Sequence, residues 1–178
     1  YPVIVDEFTL NPARKAGAMN YAYKWANGVD FVFTMDADTI LFPDTLRGMV
    51  EEMSDPKVGA VCARYWAKAG AGMAWELQRI EYARYDDQRD LRTWKVSVAS
   101  GAAVLYRKSA LEDVLKHRDR ELPWDTESLI EDYALTLDLR ELKWKVKAAR
   151  NAHVLTDTPQ DFKDLWSQRQ RWGRGGFD

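Results

Sequence analysis

The apolar run Phe31-Val32-Phe33-Thr34-Met35 follows a turn signal at Gly28 and stops abruptly at Asp36-Ala37-Asp38. Its β-branched and aromatic content predicts a buried parallel strand, and in an open α/β sheet the carboxyl end of such a strand faces a ligand crevice. Val58 to Ala63 predicts a second buried strand and Ser97 to Arg107 a third, passing through Gly101. Trp144, Val146 and Ala148 alternate with Lys143, Lys145 and Lys147, which predicts a strand that is half exposed or at an edge. Val3-Ile4-Val5 is long enough only for an edge strand, and Asn11-Pro12 marks a turn.

Between these runs the period lengthens. From Ala13, the positions Ala16, Met19, Tyr23 and Ala26 predict a helix with Arg14 and Lys15 in its first turn. Pro43 and Asp44 open another, with Leu46, Met49, Val50 and Met53 as its core-facing stripe. After the flexible Lys68 to Gly72 connection comes a long helix from about Ala74 to Leu91, then a short one from Lys108 to His117. Leu129, Tyr133, Leu137 and Leu142 predict a packed helix beginning near Glu131 and Asp132. In the last helix, Thr158 is the expected N-cap, Pro159 the first residue, Asp161 the third position after the cap, and Phe162, Leu165 and Trp166 the core stripe. Alternating helices and strands predict right-handed βαβ units with parallel strands.

Composition narrows the class. A chain of 178 residues, 46% hydrophobic and 30% charged, buries one sizeable core and reads as a single domain. A net charge of -2 gives no global reason to expect a nucleic-acid partner. The single cysteine, Cys62, excludes an intrachain disulfide framework and a cysteine zinc site, and it suits a reducing compartment. No run approaches the roughly 18 to 20 apolar residues of a membrane helix. The chain begins at Tyr1, without Met or a signal-peptide pattern, as a piece of a longer protein would.

The polar residues that interrupt these periods carry the candidate chemistry. Asp36 and Asp38 form a turn or, as paired carboxylates at a strand end, hold Mg²⁺ or Mn²⁺ whose other positions go to water and phosphate oxygens. Arg14 and Lys15 oppose the dipole at their helix start, and a bound phosphate would reconcile them there. Glu131 and Asp132 suit a helix start by capping alone, or one of them serves as a general base toward a sugar hydroxyl. Gln168, Arg171 and Trp172 share one helix face, where a guanidinium forks onto phosphate and an indole stacks on a sugar. The same basic, aromatic helix, about 159–172, also suits docking on a membrane surface or membrane helix.

Lys15-Ala16-Gly17-Ala18-Met19-Asn20, Asp36-Ala37-Asp38, Gly101 with Arg107-Lys108-Ser109-Ala110-Leu111, Glu131-Asp132 and Gln168-Arg169-Gln170-Arg171-Trp172 stand in the order found in family 2 glycosyltransferases. Over nearly its whole length the chain resembles the processive branch with cellulose, chitin and hyaluronan synthases. That resemblance implies an α/β GT-A fold, a mixed sheet flanked by helices, here N-terminally incomplete. It also implies a UDP-sugar donor, a saccharide or lipid-linked acceptor, a divalent metal and inversion at the anomeric carbon. By the same resemblance Asp38 and Asp36 would bind the metal, and Lys15, Asp36, Asp38 and Arg171 the donor diphosphate. Asp132 would be the base with Glu131 beside it, and Gly101, Gln168 and Trp172 would meet the acceptor. Ile130 departs from the family's usual Thr before Glu-Asp. Set against the family, these 178 residues are expected to be a catalytic core without the nucleobase-binding β-α-β segment before Tyr1 and without the membrane helices after Trp172. The expected setting is the cytoplasmic face of the membrane in a full-length protein, and the isolated chain would bind nucleotide diphosphates weakly, without transfer.

Two other readings remain open in the residues. Asp36-Ala37-Asp38-Thr39 also fits the nucleophile motif of haloacid-dehalogenase-like phosphatases. A non-catalytic remnant that binds sugar or assembles with a partner is the other.

Overall fold

The computed structural model describes residues 5, 11, 13–92 and 95–176. The elements run α1 (Arg14–Tyr23), β1 (Phe31–Met35), β2 (Ile40–Leu41), α2 (Thr45–Glu52), β3 (Val58–Ala67), α3 (Met73–Leu91), β4 (Ala103–Arg107), α4 (Lys108–Arg118), α5 (Glu131–Glu141), β5 (Lys145–Thr156) and α6 (Phe162–Gly175). The strands form one sheet in the order β1-β4-β3-β5-β2. Neighbouring residues of β3 and β4 serve opposite faces, as the pleat requires. Cys62, Val104 and Tyr106 join Leu111, Val114, Leu135 and Leu139 of α4 and α5 on one side. Val61, Ala63 and Leu105 join Met49 of α2 and Met53 at its C-cap on the other. Val3, Ile4 and Pro12, which carry the expected first strand and turn, lie outside the described residues.

The sheet is mixed. Among the described residues only β3 and β5 pair in parallel; β4 runs antiparallel to both β1 and β3, and β2 antiparallel to β5. β1 is therefore not the expected buried parallel strand. Its continuous apolar run arises because Val32 packs into one core cluster and Phe31 and Phe33 into the other, although none of the three is fully buried. Of the expected Ser97 to Arg107 strand only Ala103–Arg107 is extended, and the residues before it form bends and a turn. β5 stands between β3 and β2 in the strand order, but β2 reaches only Val154 and Leu155; over Lys145 to Ala148 its far side carries just a bridge from Lys147 to Lys95, and Val146 and Ala148 are buried and Lys145 exposed as the alternation predicts.

Three helices sit in a different rotation from the one their apolar residues suggest. In α2 and its C-cap, Met49 and Met53 are buried, but Leu46 and Val50 are exposed and Thr45 and Gly48 take their place. A side chain on Gly48 would put its Cβ 2.7 Å from the Asn151 carbonyl oxygen, and Thr45 Oγ1 donates to the His153 carbonyl at 2.6 Å. Close approach to β5 thus selects the small face. In α5 the buried residues are Leu135, Thr136, Asp138 and Leu139, while Leu137, like Leu129 before the helix, is exposed. Asp138 is tolerated inside because the guanidiniums of Arg118 and Arg120 both reach it. In α6 the N-cap is Asp161, accepting from the Asp164 N–H at 2.9 Å, not Thr158. Phe162 and Trp166 are 55% and 65% exposed, so the expected core stripe faces outward.

Candidate active site

β1 ends where the Asp36 N–H donates to the Ala102 carbonyl at 3.2 Å, and the Thr39 N–H then closes a turn on the Asp36 carbonyl at 3.1 Å. That turn carries both aspartates past the sheet. Lys15, in the first turn of α1, forms ion pairs with Asp36 and, at 3.4 Å, with Glu131 of α5. Its Nζ also donates to the Gly101 carbonyl at 3.0 Å. Asp132 accepts from the Gly101 N–H at 2.8 Å through Oδ2 and from the Tyr133 N–H at 2.8 Å through Oδ1. The Thr136 hydroxyl donates to the Asp132 carbonyl at 2.7 Å and accepts from the Ala99 N–H at 3.0 Å, fastening the segment before β4 to α5. A Cβ at Gly101 would lie 2.5 Å from Lys15 Nζ and 3.3 Å from Asp132 Oδ2, so a side chain there would displace the Lys15 ammonium from its place between the carboxylates.

The electrostatics separate the groups. Burial is the largest influence on the Asp132 carboxyl and raises its pKa; the negative charge of Glu131 adds to this, while the Gly101 N–H and the Lys15 charge oppose it. Burial disfavours the Lys15 ammonium, but Asp36, Glu131 and Asp132 together outweigh it and hold its pKa above the ordinary value. One cation is thus shared among three carboxylates.

Beside Asp132 lies a cavity of about 380 Å³, lined among others by Tyr65, Tyr85, Arg89, Ser97, Tyr133 and Trp172. Of the expected residues, the structure brings together Lys15, Asp36, Gly101, Glu131 and Asp132, and the cavity adds Trp172. Asp38 is exposed on the same turn, its Oδ1 accepting from Thr156 Oγ1 of β5 at 3.3 Å. Arg171 is exposed on α6 and is not among the cavity-lining residues, and the Gln168 side-chain oxygen is buried without a hydrogen-bond partner among the described residues. The sequence reading missed Arg169, which grips Glu81 and donates to Gln78 Oε1 at 3.2 Å, holding α6 against α3. Its guanidinium covers the Trp172 ring at 4.5 Å and so fixes the indole at the cavity. The polar residues of 95–100 also line it, and no period marks them.

Among the described residues no group of three or more His, Cys, Asp or Glu side chains is arranged to hold a metal. Two carboxylates on one turn nonetheless fit a cation that completes its shell with water and phosphate oxygens.

Comparison with known proteins gives this arrangement a lineage. The family described as glycosyl transferase family group 2 matches residues 31–177. The chain belongs to that family. Poly-beta-1,6-N-acetyl-D-glucosamine synthase of Staphylococcus aureus is 32% identical over 168 residues, covering 92% of this chain and 39% of the relative. The Staphylococcus epidermidis protein of the same name is 30% identical with the same coverage. This glycosyltransferase chain therefore spans about two fifths of the length of the curated relatives it matches. The mannosyltransferase PcManGT from Pyrobaculum calidifontis, solved with GDP-Man and Mn2+, superposes with a TM-score of 0.62 over 92% of this chain and 44% of its own, at 19% identity. The mixed sheet and its flanking helices are thus a GT-A fold. Family membership leaves the haloacid-dehalogenase-like reading without support.

Proposed function

We propose that this chain forms the catalytic core of a polysaccharide synthase that transfers a sugar, with inversion, from a UDP-sugar to a saccharide or lipid-linked acceptor. One observation carries the reading: Lys15, the Asp36 turn, Gly101 and the Glu131-Asp132 pair meet at one junction, with an aromatic cavity opening beside Asp132. Asp36 and Asp38 would hold Mg²⁺ or Mn²⁺, which neutralises charge developing on the diphosphate. Lys15, with Arg171, supplies further positive charge to the leaving group. Asp132 accepts the proton of the acceptor hydroxyl as its oxygen bonds the anomeric carbon. The bond from that carbon to the diphosphate breaks on the opposite face, and UDP departs with the electron pair. The raised pKa of Asp132 suits a base, because the carboxylate holds its proton more tightly than an exposed one would. Glu131 is its structural neighbour, and Gly101, Gln168 and Trp172 receive the acceptor.

Among the described residues no helix is long and apolar enough to cross a membrane. Phe162 and Trp166 of α6 instead join exposed Leu77 and Ile80 of α3 along one groove, with Arg84 and Arg169 beside them. An exposed apolar strip with Arg84 at its side, Arg169 being paired with Glu81, supports docking of this core at the cytoplasmic membrane face or on membrane helices of the full-length protein. The metal assignment is tested by calorimetry on full-length protein. Asp38→Ala is expected to abolish Mn²⁺-dependent UDP affinity with the fold intact, and unchanged affinity would refute it.

A further inference from the structure

The cavity beside Asp132 has a charge balance that sugar transfer alone does not require. Its lining includes three cations, Arg89, Arg92 and Lys95, against a single acid, Asp132. Arg89 is internally committed: it donates to Asp86 Oδ1 at 2.7 Å and lies over the Tyr65 ring at 4.7 Å. Arg92 and Lys95 are different. Both are exposed, and Arg92 donates only to a neutral partner, Ser97 Oγ, at 3.0 Å. Among the described residues neither forms an ion pair. They stand at a cavity whose other walls include Tyr65, Tyr85, Tyr133 and Trp172, the rings on which sugar faces stack. Burial raises the pKa of Tyr65 and Tyr85, so their hydroxyls stay protonated and add no negative charge.

A guanidinium beside an ammonium, both uncompensated, is matched by a carboxylate or phosphate, which forms charge-assisted hydrogen bonds with each. We propose that the cavity takes an anionic acceptor, whose sugar ring rests on the aromatic wall and whose carboxylate or phosphate is bound by Arg92 and Lys95. This rests on the transferase reading of the same site and adds the chemical class of its acceptor. A volume of about 380 Å³ is at the small end of ligand pockets, which suits the end of a chain rather than a long stretch of it. A neutral saccharide would leave both cations without a counter-charge among the described residues and lose the electrostatic part of its recognition.

The test is calorimetric titration of full-length protein preloaded with UDP and Mn²⁺. The ligands are a tetrasaccharide of alternating glucuronate and N-acetylglucosamine, the same tetrasaccharide with its carboxyls reduced to alcohols, and a prenyl-phosphate-linked N-acetylglucosamine. The charged tetrasaccharide or the phospholipid-linked sugar is expected to bind at least about tenfold more tightly than the reduced form, as charge-assisted hydrogen bonds allow. Whichever of the two binds identifies the source of the anion. In Arg92→Gln/Lys95→Gln the advantage is expected to fall within about twofold, while UDP binding in the same cell reports that the variant is folded. Equal binding of charged and reduced ligands, binding of none of the three, or an advantage that survives in the double variant overturns the proposal. Loss of metal-dependent UDP binding in the unmodified protein would instead overturn the transferase reading itself, so the two failures are distinguishable.

Discussion

Asp86 and Asp132 are both enclosed carboxylates on helices, and they titrate in opposite directions. Asp86 accepts from Arg89 Nη1 at 2.7 Å, Trp66 Nε1 at 2.9 Å and Arg64 Nη2 at 3.1 Å. Burial alone would raise its pKa, but Arg64, Trp66 and Arg89 outweigh burial and hold it below the ordinary value. Asp132 has two backbone N–H donors and a fraction of one lysine's charge, so burial prevails and its pKa rises. Burial does not decide what a carboxylate does; the donors left to it do. Asp86 fastens α3 to β3, whereas Asp132 keeps an appetite for a proton next to a cavity.

The pH dependence of stability follows with opposite signs. Asp86 contributes stability that is fully present above the ordinary value of 3.8 and lost as pH falls through its lower folded pKa. Asp132 carries no such contribution: its raised folded pKa costs stability that builds as pH rises from 3.8 through that pKa and is constant above it, and costs nothing well below 3.8, where it is protonated in both states.

The largest effect on stability is expected from Asp86→Asn, which leaves two guanidiniums short of their counter-charge and should cost about 3 kcal/mol at neutral pH. Urea unfolding at pH 7 and towards pH 3 checks it, with the gap to wild type narrowing in acid. A gap that stays constant with pH would mean that Asp86 acts through packing rather than charge. Sharper for the other carboxylate is Lys15→Met. Lys15 lowers the Asp132 pKa, so removing it should move the acid limb of the pH–rate profile of sugar transfer upward. An unmoved or downward-shifted limb would detach Asp132 from the rate. The smallest effect is expected at the Arg169–Glu81 pair, whose side chains are 31% and 20% exposed. Its coupling should be about 1 kcal/mol in a double-mutant cycle of Arg169→Met with Glu81→Gln, and zero coupling would show that α6 is held by other contacts.

Much of the site was legible because its residues interrupt a period. Asp36 and Asp38 end an apolar run, Glu131 and Asp132 open a helix, and Lys15 opposes a helix dipole, so each stood out locally. Helix rotation was less legible, because partners far along the chain set it. Nothing near Gly48 announces the Asn151 carbonyl that excludes a side chain there, and nothing near Leu137 announces the two arginines that bring Asp138 inside. In Gln168-Arg169-Gln170-Arg171-Trp172 the spacing draws attention to Arg171, while the structure docks the helix through Arg169, because Glu81 of α3 lies on that side. Strand direction was misread for a related reason: an apolar run reports burial on both faces and carries no sign of whether its neighbour is parallel.

The contrast between the two carboxylates is tested most directly by sugar transfer and Mn²⁺-dependent UDP affinity measured together in full-length Asp132→Asn. Removing a positioned base should lower the transfer rate by about 10² to 10⁴ with UDP affinity retained, the amide oxygen keeping one of the two backbone hydrogen bonds, from Gly101 or Tyr133, that the carboxylate accepts. Transfer within a few-fold of wild type, or a greater loss in Glu131→Gln, would contradict the assignment of Asp132 as the base.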